Sequence, residues 1–148
     1  MRYIKFFLLN LIVFGSLFFV ISLLLPSTVG VSKSISVNAD KTIVAKQISD
    51  ITNWQKWNSY SSVSNNIKIS TDSLVKVHHP SDRFGNLTSL FVIQGNGAVN
   101  VSWALQQKLR WYYPWGKFAA MVTEKSWIEG MDSSLTKLKQ LCEANQGN

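Results

Sequence analysis

The chain has 148 residues, with 15 Lys and Arg against 8 Asp and Glu, a formal net charge of +7, 46% hydrophobic residues, 6 Trp and 1 Cys. That length allows one modest folded domain, and the lone Cys142 excludes an intramolecular disulfide framework or a cysteine-rich metal site. Beyond the N-terminus the basic residues are scattered rather than clustered, which points away from a nucleic-acid partner.

The apolar residues are unevenly spread. Residues 6–25, FFLLNLIVFGSLFFVISLLL, hold 16 of them, including five of the eight Phe and none of the six Trp. Without this segment the chain is about 41% apolar, an ordinary figure for a soluble domain. As a helix, Phe6–Leu25 would span about 30 Å, the thickness of a bilayer's hydrocarbon core. It carries no charge, and Pro26 with Ser27 stops the helix where the apolar run ends. A cleaved signal peptide is the competing reading, with Arg2 and Lys5 as its basic end. The run is longer than the usual apolar region of about 7–15 residues, and LPSTVGVSKS offers no A-x-A cleavage site. The expectation is a retained single-pass anchor over residues 1–26. Arg2, Lys5 and the terminal amine precede the span and Lys33 and Lys41 follow it, so the positive-inside rule leans toward a domain on the non-cytoplasmic side.

Residues 27–34 hold a short linker and the start of a strand, and residues 31–145 the domain. Val31, Lys33, Ile35 and Val37 alternate with Ser32, Ser34, Ser36 and Asn38, the period of a strand with one polar face. Asp40 is placed to cap a helix carrying Val44, Ile48 and Ile51 at helical spacing. Trp54 and Trp57 are three apart, which sets both indoles on one side of a second short helix. Ile67–Ile69 and Leu74–Val77 read as short strands between polar turns. LTSLFVIQGNGAVNVSWALQQ reads as a hairpin, and a three-residue loop, Gly95-Asn96-Gly97, pairs Ile93 with Val99 and Phe91 with Val101 on one apolar face. KLRWYYPWGKF is an aromatic, basic connector. Trp127, Met131, Leu135, Leu138 and Cys142 then recur at helical spacing from about Lys125 to Glu143, with Ser126 and Glu129 at capping-box spacing. An antiparallel sheet covered by that long helix is the expected α+β architecture.

Three segments carry a family resemblance. The run from Leu24 to Tyr60 joins an apolar helix to a strand ending Asn38-Ala39, an acidic-capped helix, and a D-x-x-x-W-x-x-W-N segment formed by Asp50, Trp54, Trp57 and Asn58. WYYPWGKF precedes a closing helix with Ser134, Leu135, Leu138 and Lys139 in an S/G-L-x-x-L-K pattern. In this order they resemble membrane-anchored bacterial members of the SRPBCC, or START-like, superfamily, the polyketide cyclase/dehydrase and lipid-transport type. The resemblance implies a helix-grip fold, an antiparallel sheet wrapped on the long C-terminal helix around a hydrophobic cavity. Between Asn58 and Trp103 the chain spends fewer residues than the family does on its strands, and a Gly-rich hairpin after the W-N segment is missing.

No constellation of catalytic residues stands out. The carboxylates fall at helix ends, in turns or on the final helix, and no pair shares an apolar pocket. Adjacent His78 and His79 would point to opposite faces of a strand and lack further ligands for a metal. Cys142 lies on the apolar stripe of the last helix and reads as a packing residue. Neither cofactor nor metal is expected. Trp54, Trp57, Phe91, Trp103, Trp115 and Trp127 are the candidates to line a hydrophobic pocket, and equally candidates for the core. The expected function is non-catalytic binding of a hydrophobic small molecule or lipid at the membrane that residues Phe6–Leu25 would enter. The alternatives are an anchored interaction module without a working cavity and a cyclase/dehydrase-type enzyme.

Overall fold

The computed structural model describes residues 2–60, 66–79, 85–95, 97–110 and 113–146. Helix α1 covers Arg2–Leu24, and its stretch Tyr3–Leu24 has a mean hydropathy of 2.5 with only 6% of its most apolar window buried. A membrane span and a signal sequence both satisfy that length and composition. Its few polar side chains bond to the helix itself: Asn10 Nδ2 donates to the Phe6 carbonyl at 2.9 Å and Ser16 Oγ to the Val13 carbonyl at 2.8 Å. Such back-bonding lets polar residues sit in an apolar helix without water.

After Leu25, Pro26 and Ser27, strand β1 (Thr28–Val37) begins. Val31 and Val37 are buried and Ser32, Ser34 and Ser36 exposed, as the alternation predicts. Helix α2 (Lys41–Ser49) starts at Asp40, whose carbonyl accepts from the Ile43 and Val44 amides, though its side chain makes no capping bond. A single 3-10 helix follows over Ile51–Lys56. Its cap is Asp50, whose carboxylate accepts from the Thr52 amide at 3.0 Å and the Thr52 hydroxyl at 2.6 Å. Those bonds, the hydroxyl's above all, hold its carboxyl below the ordinary carboxylate range. Strands β2 (Asn66–Ser70), β3 (Leu74–His78), β4 (Gly85–Gln94) and β5 (Val99–Leu109) complete a five-stranded antiparallel sheet of order β1-β5-β4-β3-β2.

The β4–β5 hairpin corrects the expected register. Ile93 pairs with Val101 and Phe91 with Trp103, two residues further along β5 than the three-residue loop allows. Apolar residues still meet apolar residues because a shift of two preserves the face. The turn passes through Gly95, at φ +110°, where a Cβ would lie 2.6 Å from the Ala98 carbonyl oxygen, so the path favours glycine. Asn96 lies outside the described residues.

Helix α3 runs from Pro114 to Gln146, 33 residues, and starts well before the expected Lys125. Much of the aromatic connector is therefore its first turns, with Trp111 and Tyr112 outside the described residues. Ser126 and Glu129 sit inside the helix and cap nothing. The helix is longer than its C-terminal stripe because its first turns bury their inner face elsewhere, against α1. Further on, α3 lies along β1 in the same direction: Lys33 Nζ pairs with Asp132 Oδ2 at 3.0 Å, and the Asn38 amide donates to Glu143 Oε1 at 3.0 Å. Five residues of strand and eleven of helix both cover about 16 Å, so the two elements keep step. Between α3 and the sheet lies the core, including Val44, Ile48, Val75, Val77, Val101, Leu105, Met131, Leu135, Leu138 and Cys142.

Candidate functional site

The aromatic residues singled out by the sequence divide into an interior set and an outlier. Trp54 and Trp57 come from the 3-10 helix and its end, Phe91 from β4 and Trp103 from β5, and all four are buried. Phe91 and Trp103 face each other across the β4–β5 ladder and stack with ring centroids 5.0 Å apart. Trp57 meets both edge-on, at 6.0 Å from Phe91 and 6.4 Å from Trp103, and Trp54 stands 5.6 Å from Trp57 and from Phe91. Trp127, on α3, is half-buried against this cluster. Trp115 is elsewhere, 65% exposed beside α1.

The indoles differ in a way that burial alone conceals. Trp54 Nε1 donates to the Ile48 carbonyl at 2.8 Å, so its polar atom is used to join the 3-10 helix to α2. Trp57 Nε1 and Trp103 Nε1 are buried with no acceptor among the described residues, and Asn58 Nδ2 is in the same condition. Each such donor costs about 1–3 kcal/mol relative to a satisfied one. Asn58 is otherwise held in place, its Oδ1 accepting from the Tyr60 amide at 2.8 Å. Tyr60 closes the group, edge-on to Trp103 at 5.9 Å, with its hydroxyl 3.3 Å from the Trp127 carbonyl. Burial pushes the Tyr60 phenol above its ordinary pKa.

The Tyr60 hydroxyl fits against α3 because Gly130 has no side chain; a Cβ there would lie 2.5 Å from it. One turn later the buried Ser134 accepts from the Ser59 amide at 3.0 Å and turns its own hydroxyl to the Gly130 carbonyl at 2.7 Å. Sequence reasoning passed over Tyr60, Gly130 and Ser134 as functional residues. The signal was there, a small pair four apart on the apolar side of a helix, where another segment can approach closely.

The histidines take opposite sides, as adjacent residues at a strand end should. His78 Nδ1 lies 3.1 Å from Thr88 Oγ1 and lines an outer-face groove of about 420 Å³ with Lys76, Asn86, Gln106 and Lys108. His79 Nε2 lies 2.7 Å from Ser89 Oγ, and its ring is 6.3 Å from that of Trp54. Burial, with help from the charge on His78, pushes the His79 pKa down, so at neutral pH it is an uncharged wall. Burial and the neighbouring Glu143 raise Cys142 to about 11, which keeps it a thiol. Among the described residues no group of three or more His, Cys, Asp or Glu could hold a metal ion.

No protein-family model matches the chain, and no curated protein matches it in sequence. Its fold matches solved structures. The di-domain ARO/CYC StfQ from the steffimycin biosynthetic pathway superposes at a TM-score of 0.62 with 6% identity, over 82% of this chain and 52% of that one. The chain thus spans about half the length of StfQ. A protein of unknown function from Staphylococcus aureus gives 0.60 at 10% identity, over 82% of this chain and 97% of that one. A START superfamily protein from Mycobacterium smegmatis gives 0.54 at 14% identity, over 76% and 98%. At these identities the likeness is one of fold: the sheet on its long C-terminal helix is START-like.

Proposed function

We propose that the chain is a membrane-tethered START-like domain that binds a lipid or lipid-like molecule without transforming it. The observation that carries this reading is the trio of buried donors, Trp57 Nε1, Trp103 Nε1 and Asn58 Nδ2, that find no acceptor among the described residues of an aromatic interior. A core selected for packing alone would use Phe or Leu there. Indoles place an apolar body and a hydrogen-bond donor in the same space, which suits a hydrophobic molecule bearing a carbonyl or ester oxygen. Trp57, Phe91, Trp103 and Tyr60 would contact its body, with Trp127 beside them, while Trp54 serves as a structural wall. Helix α1 supplies the tether, and the excess of cations before it favours a domain on the non-cytoplasmic side.

A second reading draws on the closeness of the same rings. With Trp103 stacked on Phe91 at 5.0 Å and both fully buried, the interior is filled by the protein's own side chains, which fits an anchored interaction module.

Photo-cross-linking separates the two. The full-length chain is placed in nanodiscs containing phosphatidylcholine with a diazirine near the end of one acyl chain. Lipid binding predicts cross-links in the peptides holding Trp57–Tyr60 and Trp103, reduced several-fold when Trp57→Phe and Trp103→Phe are combined. Cross-links confined to α1 and the first turns of α3 would overturn lipid binding in favour of the module.

A further inference from the structure

Nine residues at the start of α3 read PWGKFAAMV, from Pro114 to Val122, and Lys117 is the one charged side chain among them. Lys117 is also 2% exposed. Its Nζ donates to the Ser22 carbonyl at 2.7 Å and to the Leu25 carbonyl at 3.1 Å, at the C-terminal end of α1. A cation belongs there, where carbonyls lack intrahelical partners and the helix dipole is negative. Backbone carbonyls also accept a charged side chain in a lipid environment. Around this bond Phe18 of α1 lies 5.1 Å from Trp115 and 5.0 Å from Phe118, ring centroid to ring centroid. Ala120 is buried with Lys117, whereas Trp115, Met121 and Val122 face outward, 65%, 46% and 81% exposed.

Helical rise fixes how deep these residues sit. Phe18 precedes the end of α1 by about two turns, roughly 9 Å. Because Trp115 and Phe118 pack on Phe18, the first turns of α3 lie alongside the last turns of α1 and below the level at which β1 begins. If α1 crosses the bilayer, the exposed Trp115, Met121 and Val122 share its leaflet. The groove between the helices, lined by Leu11, Phe14, Leu17, Phe18, Ile21 and Trp115 with a volume of about 490 Å³, is continuous with the outer surface of α1. Just above it Lys108 pairs with Thr28, at the first residue of β1. That places a cation at headgroup level over an apolar wedge, the arrangement of an interfacial anchor.

We infer that Pro114–Val122 is a second membrane contact, a half-buried wedge in the same leaflet as the C-terminal end of α1, with lipid acyl chains covering Trp115, Met121 and Val122. This rests on the tether assigned above to α1, and the test separates the two. The full-length chain, with Cys142→Ser, carries a single nitroxide on cysteine at position 13, 115, 121 or 133, in nanodiscs of equimolar phosphatidylcholine and phosphatidylglycerol. Spin-label collisions with oxygen, which favours lipid, are compared with those of a water-soluble nickel chelate. Val13 reports the middle of α1 and the exposed Ser133 reports water. Labels at 115 and 121 are expected to favour oxygen, as at 13, and to reverse the preference seen at 133. If 115 and 121 favour nickel while 13 favours oxygen, the wedge is overturned and the tether stands. Nickel access at 13 overturns both. Low access to both reagents at 115 and 121 means that protein, such as a second copy, covers them, and overturns the lipid assignment.

Discussion

Trp54, Trp57 and Trp103 are equally buried, and the use of one nitrogen distinguishes them. Replacing each by Phe removes the same atoms, so the loss of packing is comparable, about 1–3 kcal/mol in a well-packed core. Trp54→Phe also strands the Ile48 carbonyl, which accepts the Trp54 indole at 2.8 Å. Trp57→Phe and Trp103→Phe remove donors that have no partner among the described residues. Trp54→Phe is therefore expected to be the most destabilising of the three, by about 1 kcal/mol or more beyond the others, in urea unfolding of the full-length chain. Equal losses for the three would mean that the indole nitrogens of Trp57 and Trp103 are paired in solution, and would remove the argument for a ligand's oxygen. The trade is a familiar one: a site that carries unsatisfied groups for a ligand gives up stability when empty.

At the scale of elements, the contact of Tyr60 with Gly130 is where the segment 51–60 is pinned beneath α3. Gly130→Ala gains about 1 kcal/mol of helix propensity, but the new Cβ would lie 2.5 Å from the Tyr60 hydroxyl oxygen and 3.0 Å from Cζ. The ring is backed by Trp103 and has little room to retreat. Gly130→Ala is expected to lower stability by about 1 kcal/mol net, and in a Tyr60→Phe background to become neutral or stabilising. A thermal-denaturation double-mutant cycle reads this as a favourable coupling; additive effects would show that the ring moves freely. These same elements mark what could be read from the chain. Alternation in Val31–Val37 and the stripe Met131–Cys142 revealed β1, the C-terminal half of α3 and the core, because burial on one face leaves a period in the sequence. The hairpin register escaped because a shift of two residues keeps the same apolar face, so side-chain matching could not separate Val99 from Val101 as the partner of Ile93. The first turns of α3 escaped because their inner face packs on α1, so their period belongs to a different surface. Of the six proposed pocket residues, four converge in the interior and Trp127 borders it, whereas Trp115 was chosen by residue type and lies outside it. The helix–sheet order matches START-like folds, whereas the state of single atoms, such as the Trp57 and Trp103 nitrogens, leaves no period in the sequence.

For the whole molecule, Lys117 is expected to hold α1 and the domain together as one body. Lys117→Met keeps the length of the side chain but leaves the Ser22 and Leu25 carbonyls without their donor, a loss of about 2 kcal/mol at the junction. With nitroxides on positions 13 and 133, pulsed dipolar spectroscopy should give a narrow distance distribution for the otherwise native chain and a broad one for Lys117→Met. A distribution that stays narrow would assign the rigidity to the ring contacts of Phe18 with Trp115 and Phe118.

Only Leu25, Pro26 and Ser27 separate the end of α1 from the first strand. Fully extended, three residues reach about 10 Å, and two of the three are already committed, Leu25 to Lys117 and Ser27, through its carbonyl, to the Leu109 amide at 2.8 Å. If the domain takes up a lipid as proposed and α1 stays in the bilayer, the bound molecule could not travel with it: it would be lifted from, or returned to, the leaflet on which the domain stands, and any onward journey would require a carrier that comes to meet it.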